Sequence, residues 1–220
     1  MHPPQKHERA FTLIELLVVI AIIVILVGLL FPAFKGVQNQ ARQTQAKNDL
    51  TQIVNAVNAF YTEYGKYPIS TSVDTTFGLG GSPTNNENLF RELRACTVAT
   101  GSCASVAVVN TRQVVFISPP DVKNSANPRS GVALQTTTIN GISVVLGDLV
   151  DPWGAPYVVR IDSDYNNQVG NPYTANAGAT PNLQLGVIAW SIGLDESGPP
   201  TVTGGDKNTG VFADDVISWQ

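Results

Sequence analysis

The chain has 220 residues, 43% apolar and 14% charged, with 14 Pro and 19 Gly, which allows one domain or two small ones and excludes a long disordered or coiled-coil chain. Its net charge is −4 and its 13 Lys and Arg are scattered, so it lacks the basic face that displaces counterions from DNA or RNA, and no nucleic-acid partner is expected. Both histidines, His2 and His7, lie in the first ten residues, which excludes Ser-His-Asp hydrolases, Cys-His proteases and His-ligated zinc from the rest of the chain.

Residues 11–31 read FTLIELLVVIAIIVILVGLLF, with Glu15 as the one charge. As a helix this run is about 30 Å long, the thickness of a bilayer core. A soluble domain has too little apolar sequence elsewhere to surround it. A cleaved secretory signal would be shorter and would end in a small-residue site, whereas FPAFKGVQNQAR follows here. The polar head MHPPQKHERA is the removable part. Glu15 either snorkels to the headgroups or meets a positive charge. A cut before Phe11 would create an α-amino group four residues away. In a helical assembly the amine of one subunit would then neutralise the carboxylate of its neighbour and fix their axial register. Lys6 and Arg9 before the run, and Lys35, Arg42 and Lys47 after it, do not decide topology by charge.

The string Arg9-Ala10-Phe11-Thr12-Leu13-Ile14-Glu15-Leu16 resembles the prepilin cleavage and methylation motif of type IV pilins and type II secretion pseudopilins, with Ala10 where that family usually has Gly. The resemblance implies a prepilin peptidase that cuts between Ala10 and Phe11 and N-methylates Phe11. It also implies that Glu15 serves methylation and subunit docking. Pro32 falls where the family places a helix-kinking proline. The resemblance further implies a cytoplasmic N-terminus, one span of the bacterial inner membrane and a periplasmic globular part.

From 33 to 64 the pattern turns amphipathic. Ala46, Leu50, Ile53, Val54, Val57, Phe60, Tyr61 and Tyr64 recur at three- and four-residue steps, and Gly65 and Pro68 supply a stop. This predicts one helix over 11–64, about 80 Å long, whose second half packs on a small sheet. Residues 69–86 read as an exposed loop. Residues 87–95 read as a short helix capped by Asn85 or Asn86. The runs 113–118, 142–146, 156–161 and 185–192 read as strands. The expected fold is α+β and pilin-like: a long N-terminal helix against a small antiparallel sheet with a loop-rich insertion. Its parts are a leader (1–10), a transmembrane and filament-core helix (11–31), its amphipathic continuation (32–64) and a periplasmic domain (65–220).

Cys96 and Cys103 bracket a six-residue spacer. In an exported chain they read first as a disulfide and otherwise as free thiols. Asp162-Ser163-Asp164-Tyr165-Asn166-Asn167 begins like an EF-hand, but Asn167 stands at position six and Tyr173 at position twelve, so it reads as a solvated turn. In the tail, Asp195, Glu196, Asp206, Asp214 and Asp215 crowd an irregular Gly- and Pro-rich segment. A Ca²⁺ ion would offset that charge and cross-link the loop; the other reading is a flexible acidic loop without metal. The tail resembles the C-terminal calcium loop of major pseudopilins through Ile192-Gly193-Leu194-Asp195, Gly204-Gly205 and Asp215-Val216-Ile217-Ser218-Trp219. That resemblance implies Asp195 and Asp215 as ligands, Asp214 beside them, and Leu194 through its carbonyl. Asp151-Pro152-Trp153-Gly154-Ala155-Pro156-Tyr157 resembles a turn of the same family, held by Trp153 and Tyr157.

Together these resemblances imply a non-enzymatic major pseudopilin of type II secretion. Its partners would be copies of itself, minor pseudopilins, the prepilin peptidase, and an inner-membrane assembly platform with its ATPase. A type IV pilin for adhesion, motility or DNA uptake shares the N-terminal chemistry. A membrane-anchored periplasmic enzyme or binding module is the reading from another class, and no residue set supplies a site for it.

Overall fold

A computed structural model describes residues 11–69, 71–78, 85–195, 197 and 205–220; the side chains of 29–33 are likewise outside the description. The leader, Ala10, Glu196 and Gly204 therefore lie outside the described residues. By contacts the chain divides into a unit 1–41 and a unit 42–220.

The helix α1 runs over Leu13–Tyr64, 52 residues, and its assignment continues through Pro32. Its end falls where Gly65 enters the left-handed region at φ 65° and donates its N–H to the Tyr61 carbonyl. In the second unit the apolar stripe of α1 is buried. Ala46, Leu50, Ile53, Val57 and Phe60 are all fully enclosed, Val54 and Tyr64 are half-buried, and Tyr61 is exposed. Burying each Leu, Ile, Val or Phe side chain contributes about 1.5–3 kcal/mol, so this stripe is a main source of the unit's stability.

The stripe packs on a four-stranded antiparallel sheet. Its strands are β1 (Thr75–Phe77), β6 (Val158–Ile161), β9 (Val187–Ser191) and β10 (Val216–Ile217), in the order β1-β6-β9-β10. Three two-stranded pieces surround it: β2 (Gly131–Val132) with β5 (Leu149–Val150), β3 (Thr137–Ile139) with β4 (Ile142–Val144), and β7 (Val169–Gly170) with β8 (Asn182–Leu183). The β3–β4 hairpin turns on Asn140-Gly141, both at positive φ, the pair that a two-residue turn between twisted strands favours.

Strand alternation divides the core in two. Phe77, Val159, Ile161, Val187 and Ala189 face the α1 stripe. Val158, Ile188, Trp190 and Ile217 face the other way, onto Tyr173, Ala177, Leu183 and Phe212. Both faces of the sheet are thus covered, the second by the β7–β8 piece and loops. The α+β architecture of a long helix and a small antiparallel sheet accords with a pilin-like fold.

Several local expectations need correction. The 69–86 segment is not all exposed loop, because Thr75–Phe77 is a buried edge strand in register with Ile161–Val159. The run 113–118 forms no strand. Its Phe116 and Ile117 N–H groups bond the Leu93 carbonyl at the end of helix α2 (Glu87–Leu93) instead of a ladder. Asn86 occupies the N-cap position without a side-chain cap bond, because its amide bridges Leu149 and Tyr157. Asp148 Oδ1 takes the Glu87 N–H in its place, at 2.9 Å. The tail is also less irregular than expected, since Val216–Ile217 pairs with β9.

Candidate functional site

At the N-terminus Thr12 and Glu15 form a capping box. Glu15 Oε2 accepts from the Thr12 N–H at 2.9 Å and from its hydroxyl at 2.8 Å, and the Glu15 N–H donates to Thr12 Oγ1 at 3.3 Å. The T-x-x-E spacing of residues 12–15 is the sequence signal for this box, and it gives Glu15 a partner in its own chain that the sequence reading missed. Phe11 is 80% exposed, and the apolar side chains of 13–27 that follow are exposed all round the helix. Among the described residues no helix is long and apolar enough to cross a membrane; the apolar run 11–31 continues into residues whose side chains are not described.

In the insertion, Cys96 and Cys103 are joined by a disulfide that closes a short loop beside α2. Arg94 braces the loop by donating to Ser102 O at 3.0 Å and Ser102 Oγ at 2.6 Å. Glu92, buried on α2, draws in the next stretch. Its carboxylate accepts the N–H groups of Val108, Val109 and Asn110 at 2.8–3.0 Å.

The 151–157 turn is organised by one buried carboxylate. Asp151 Oδ1 accepts from the N–H groups of Trp153, Gly154 and Ala155 at 2.9, 2.7 and 3.0 Å. Its Oδ2 accepts from the Ser191 hydroxyl at 2.5 Å. Burial pushes its pKa up to about 6 against these four bonds.

The C-terminal loop is built from two arms leaving the same edge of the sheet. After β9, Gly193 takes φ 70°, and a Cβ there would lie 2.5 Å from Asp214 Oδ2. The residue must therefore be Gly, and the Asp214 carboxylate lies hard against it. Asp214 Oδ2 accepts the Leu194 N–H and also the Asp195 N–H, the latter at 3.0 Å. The Leu194–Asp195 peptide is trans, so the Leu194 carbonyl points away from that oxygen. Asp195 Oδ1 accepts from Ser197 N–H at 2.8 Å.

Asp215 starts the other arm. It is 5% exposed, and its Oδ2 accepts from the Tyr173 hydroxyl at 2.7 Å. Its Oδ1 is the one buried side-chain oxygen or nitrogen among the described residues without a hydrogen-bond partner. Burial raises its pKa to about 7, opposed by the Tyr173 bond and by Lys207, and Asp214 and Asp195 add repulsion. The Leu194 and Asp195 N–H groups thus tie the loop to Asp214, and Asp215 feels the charges of Asp214 and Asp195, but the carboxylates of Asp195, Asp214 and Asp215 do not bring one oxygen each within 4.8 Å of one another. An orphaned acceptor and a Gly-only cradle beside a second carboxylate are the features a hard cation would fit.

Four successive residues of the 171–179 loop hold the tail, which the sequence did not reveal. Thr174 N–H bonds Gly205 O, and Lys207 N–H bonds Ala175 O. Asn176 donates to Asp206 at 2.7 Å, and Ala177 O accepts from Trp219 Nε1 at 2.6 Å. Lys47 on α1 donates to Ile217 O at 2.6 Å.

The 162–167 turn is not simply solvated. Asp162 is 2% exposed and its oxygens accept from Asn166 and Asn167 N–H at 3.1 and 2.8 Å. Asp74, from the loop before β1, joins Asp162 and Asp164 with carboxylate oxygens within 4.8 Å of one another, the one such trio among the described residues.

Residues 5–31 match the family model described as the prokaryotic N-terminal methylation motif. The match covers the N-terminal segment alone and is consistent with a type IV pilin-like or pseudopilin prepilin motif. No curated protein and no solved structure matches the chain.

Proposed function

We propose that this chain, whose residues 5–31 carry a prepilin-type methylation motif, is the precursor of a structural pseudopilin subunit of a type II secretion system. Prepilin peptidase cuts it between Ala10 and Phe11 and methylates the new amine of Phe11. Before assembly the subunit sits in the bacterial inner membrane, with its N-terminus in the cytoplasm and its globular part in the periplasm. It then packs with copies of itself, under minor pseudopilins, into a short fibre that pushes folded cargo outward. An assembly platform and its ATPase supply the work, and the chain catalyses nothing itself.

The observation that carries this reading is the motif, with Glu15 set in an exposed apolar helix. In the assembly the Glu15 carboxylate docks the amine of an adjacent copy. The motif is common to pilins, and the disulfide gives no support to the pilin reading, because it closes a loop in the insertion and leaves the tail open. Calcium belongs to the same proposal. The carboxylates of Asp195, Asp214 and Asp215 would hold it, with the Leu194 carbonyl completing the set, and Asp215 Oδ1 is the open acceptor that supports it. When bound, the ion supplies the positive charge and cross-link that the acidic tail lacks.

Mass spectrometry of the chain from cells with an active prepilin peptidase tests the proposal. The expected N-terminus is methylated Phe11, and an unmethylated chain starting at Met1 contradicts it. Deleting the gene separates the two kinds of fibre: cargo held in the periplasm fits the pseudopilin, and loss of surface filaments with normal export fits the pilin.

A further inference from the structure

We propose that Ser191 is the positioning residue of the C-terminal cation loop, an inference that rests on the calcium reading above. Ser191 is the last residue of β9 and is fully buried. In register it faces Val216 of β10, the residue after Asp215. Both arms that carry the ligands therefore leave the sheet next to it: Gly193-Leu194-Asp195 along its own strand, and Asp214-Asp215 along the partner strand.

Its hydroxyl joins one of these arms to a fixed point. Ser191 Oγ donates to Asp151 Oδ2 at 2.5 Å and accepts from the Gly193 N–H at 3.2 Å. Asp151 cannot swing, because its other oxygen is held by three consecutive backbone N–H groups. The 151–155 turn is thus a rigid reference, and Ser191 transfers it to the start of the cation loop. From there the Leu194 and Asp195 N–H groups go to Asp214 Oδ2. Three successive amides are gripped by two side chains, Ser191 on one side and Asp214 on the other. Without the Ser191 hydroxyl the Gly193 N–H loses its acceptor inside the protein, and glycine is the residue that resists reorientation least. The Leu194 carbonyl and Asp195 would then drift relative to Asp215. Outer partners of metal ligands act in this way, and their loss typically weakens metal affinity by about 10- to 100-fold.

The test is calcium titration calorimetry on the full chain in detergent, at a temperature where circular dichroism shows every variant folded. Ser191→Ala should raise the calcium Kd about 10-fold or more. Ser191→Thr, which keeps the hydroxyl, should stay within about 3-fold of wild type. Combined with Asp195→Ala, Ser191→Ala should add much less than its effect alone, because both act through one arm. A purely structural serine lowers the melting temperature and leaves Kd unmoved in the folded state. Calcium bound by wild type and by Ser191→Ala with equal Kd overturns this inference and leaves the calcium reading standing. A wild type that takes up no calcium overturns both. Should Ser191→Ala not fold, hydrogen exchange on metal-free wild type decides: a protected Gly193 amide supports the inference, and one exchanging at the rate of a free coil refutes it.

Discussion

Asp151 and Asp215 are both buried carboxylates beside strand β9, yet Asp151 accepts four hydrogen bonds and Asp215 accepts one. At Asp151 the backbone supplies the donors, so the group ties a turn that has no ladder of its own. At Asp215 the backbone of the tail supplies none. Tyr173 donates to one oxygen, and the other has no hydrogen-bond partner in the protein. Glu92 and Asp148 also collect N–H groups, Glu92 from the 108–110 loop and Asp148 from Val145 and from Glu87 at the start of α2. The contrast teaches that buried acids in this chain replace missing secondary structure wherever donors are present. Among the described residues, Asp215 is the one buried acid left with an open oxygen, and that oxygen is the one to offer to a ligand.

The largest effect should come from Asp151→Ala. It leaves three buried N–H groups without an acceptor, and about 4 kcal/mol or more should be lost in urea unfolding. A loss below ~1 kcal/mol would break the comparison at its strong end. Glu92→Ala should follow at about 2–4 kcal/mol, with the 108–110 amides exchanging faster by NMR. Removing the disulfide by Cys96→Ser with Cys103→Ser should cost about 2–3 kcal/mol on the chain-entropy argument. Because that loop lies apart from the tail in the sequence, the response of the melting temperature to calcium should not change. The smallest effect belongs to Asp215→Asn. In chelator it should shift stability by less than ~1 kcal/mol, since it removes a charge that had one partner, but the calcium response should vanish.

The acids should also show in pH dependence. Burial raises Asp148 and Asp151 to about 6, above their unfolded value, so between these limits the native state holds protons that the unfolded chain has released. Their contribution is complete below the unfolded pKa and is lost as pH rises through about 6. Unfolding free energy measured in chelator should therefore fall between pH 4 and pH 7, and Asp151→Asn should flatten that slope.

Much of the fold was legible because periodicity reports burial. The 46-50-53-57-60 stripe of α1 is core by pattern, the apolar runs at 156–161 and 185–192 read as strands, and in the structure the stripe, β6 and β9 line the core. Two pieces were not legible. Thr75–Phe77 is too short and too rich in Thr to stand out, and it becomes a strand only because β6 offers it an edge. The 113–118 run has strand composition, but its N–H groups find the end of α2 first. In the candidate site, Glu15 and the acidic tail stood out by charge in the wrong surroundings. Ser191 and Tyr173 did not, because their partners lie 40 and 42 residues away and no local pattern encodes such a contact. Thr12 was within reach, as the capping box is written in four consecutive residues.

Glu15 is where the two roles of a carboxylate must be separated, since it caps its own helix and is proposed to dock a neighbour. Glu15→Gln separates them: glutamine still fits the capping box, but it carries no charge to neutralise an amine. The decisive measurement is fibre assembly and cargo export in cells carrying Glu15→Gln in place of the wild-type chain. The account predicts a folded, cleaved subunit that neither polymerises nor supports export. Wild-type fibres and export from that variant would mean that Glu15 serves its own helix alone.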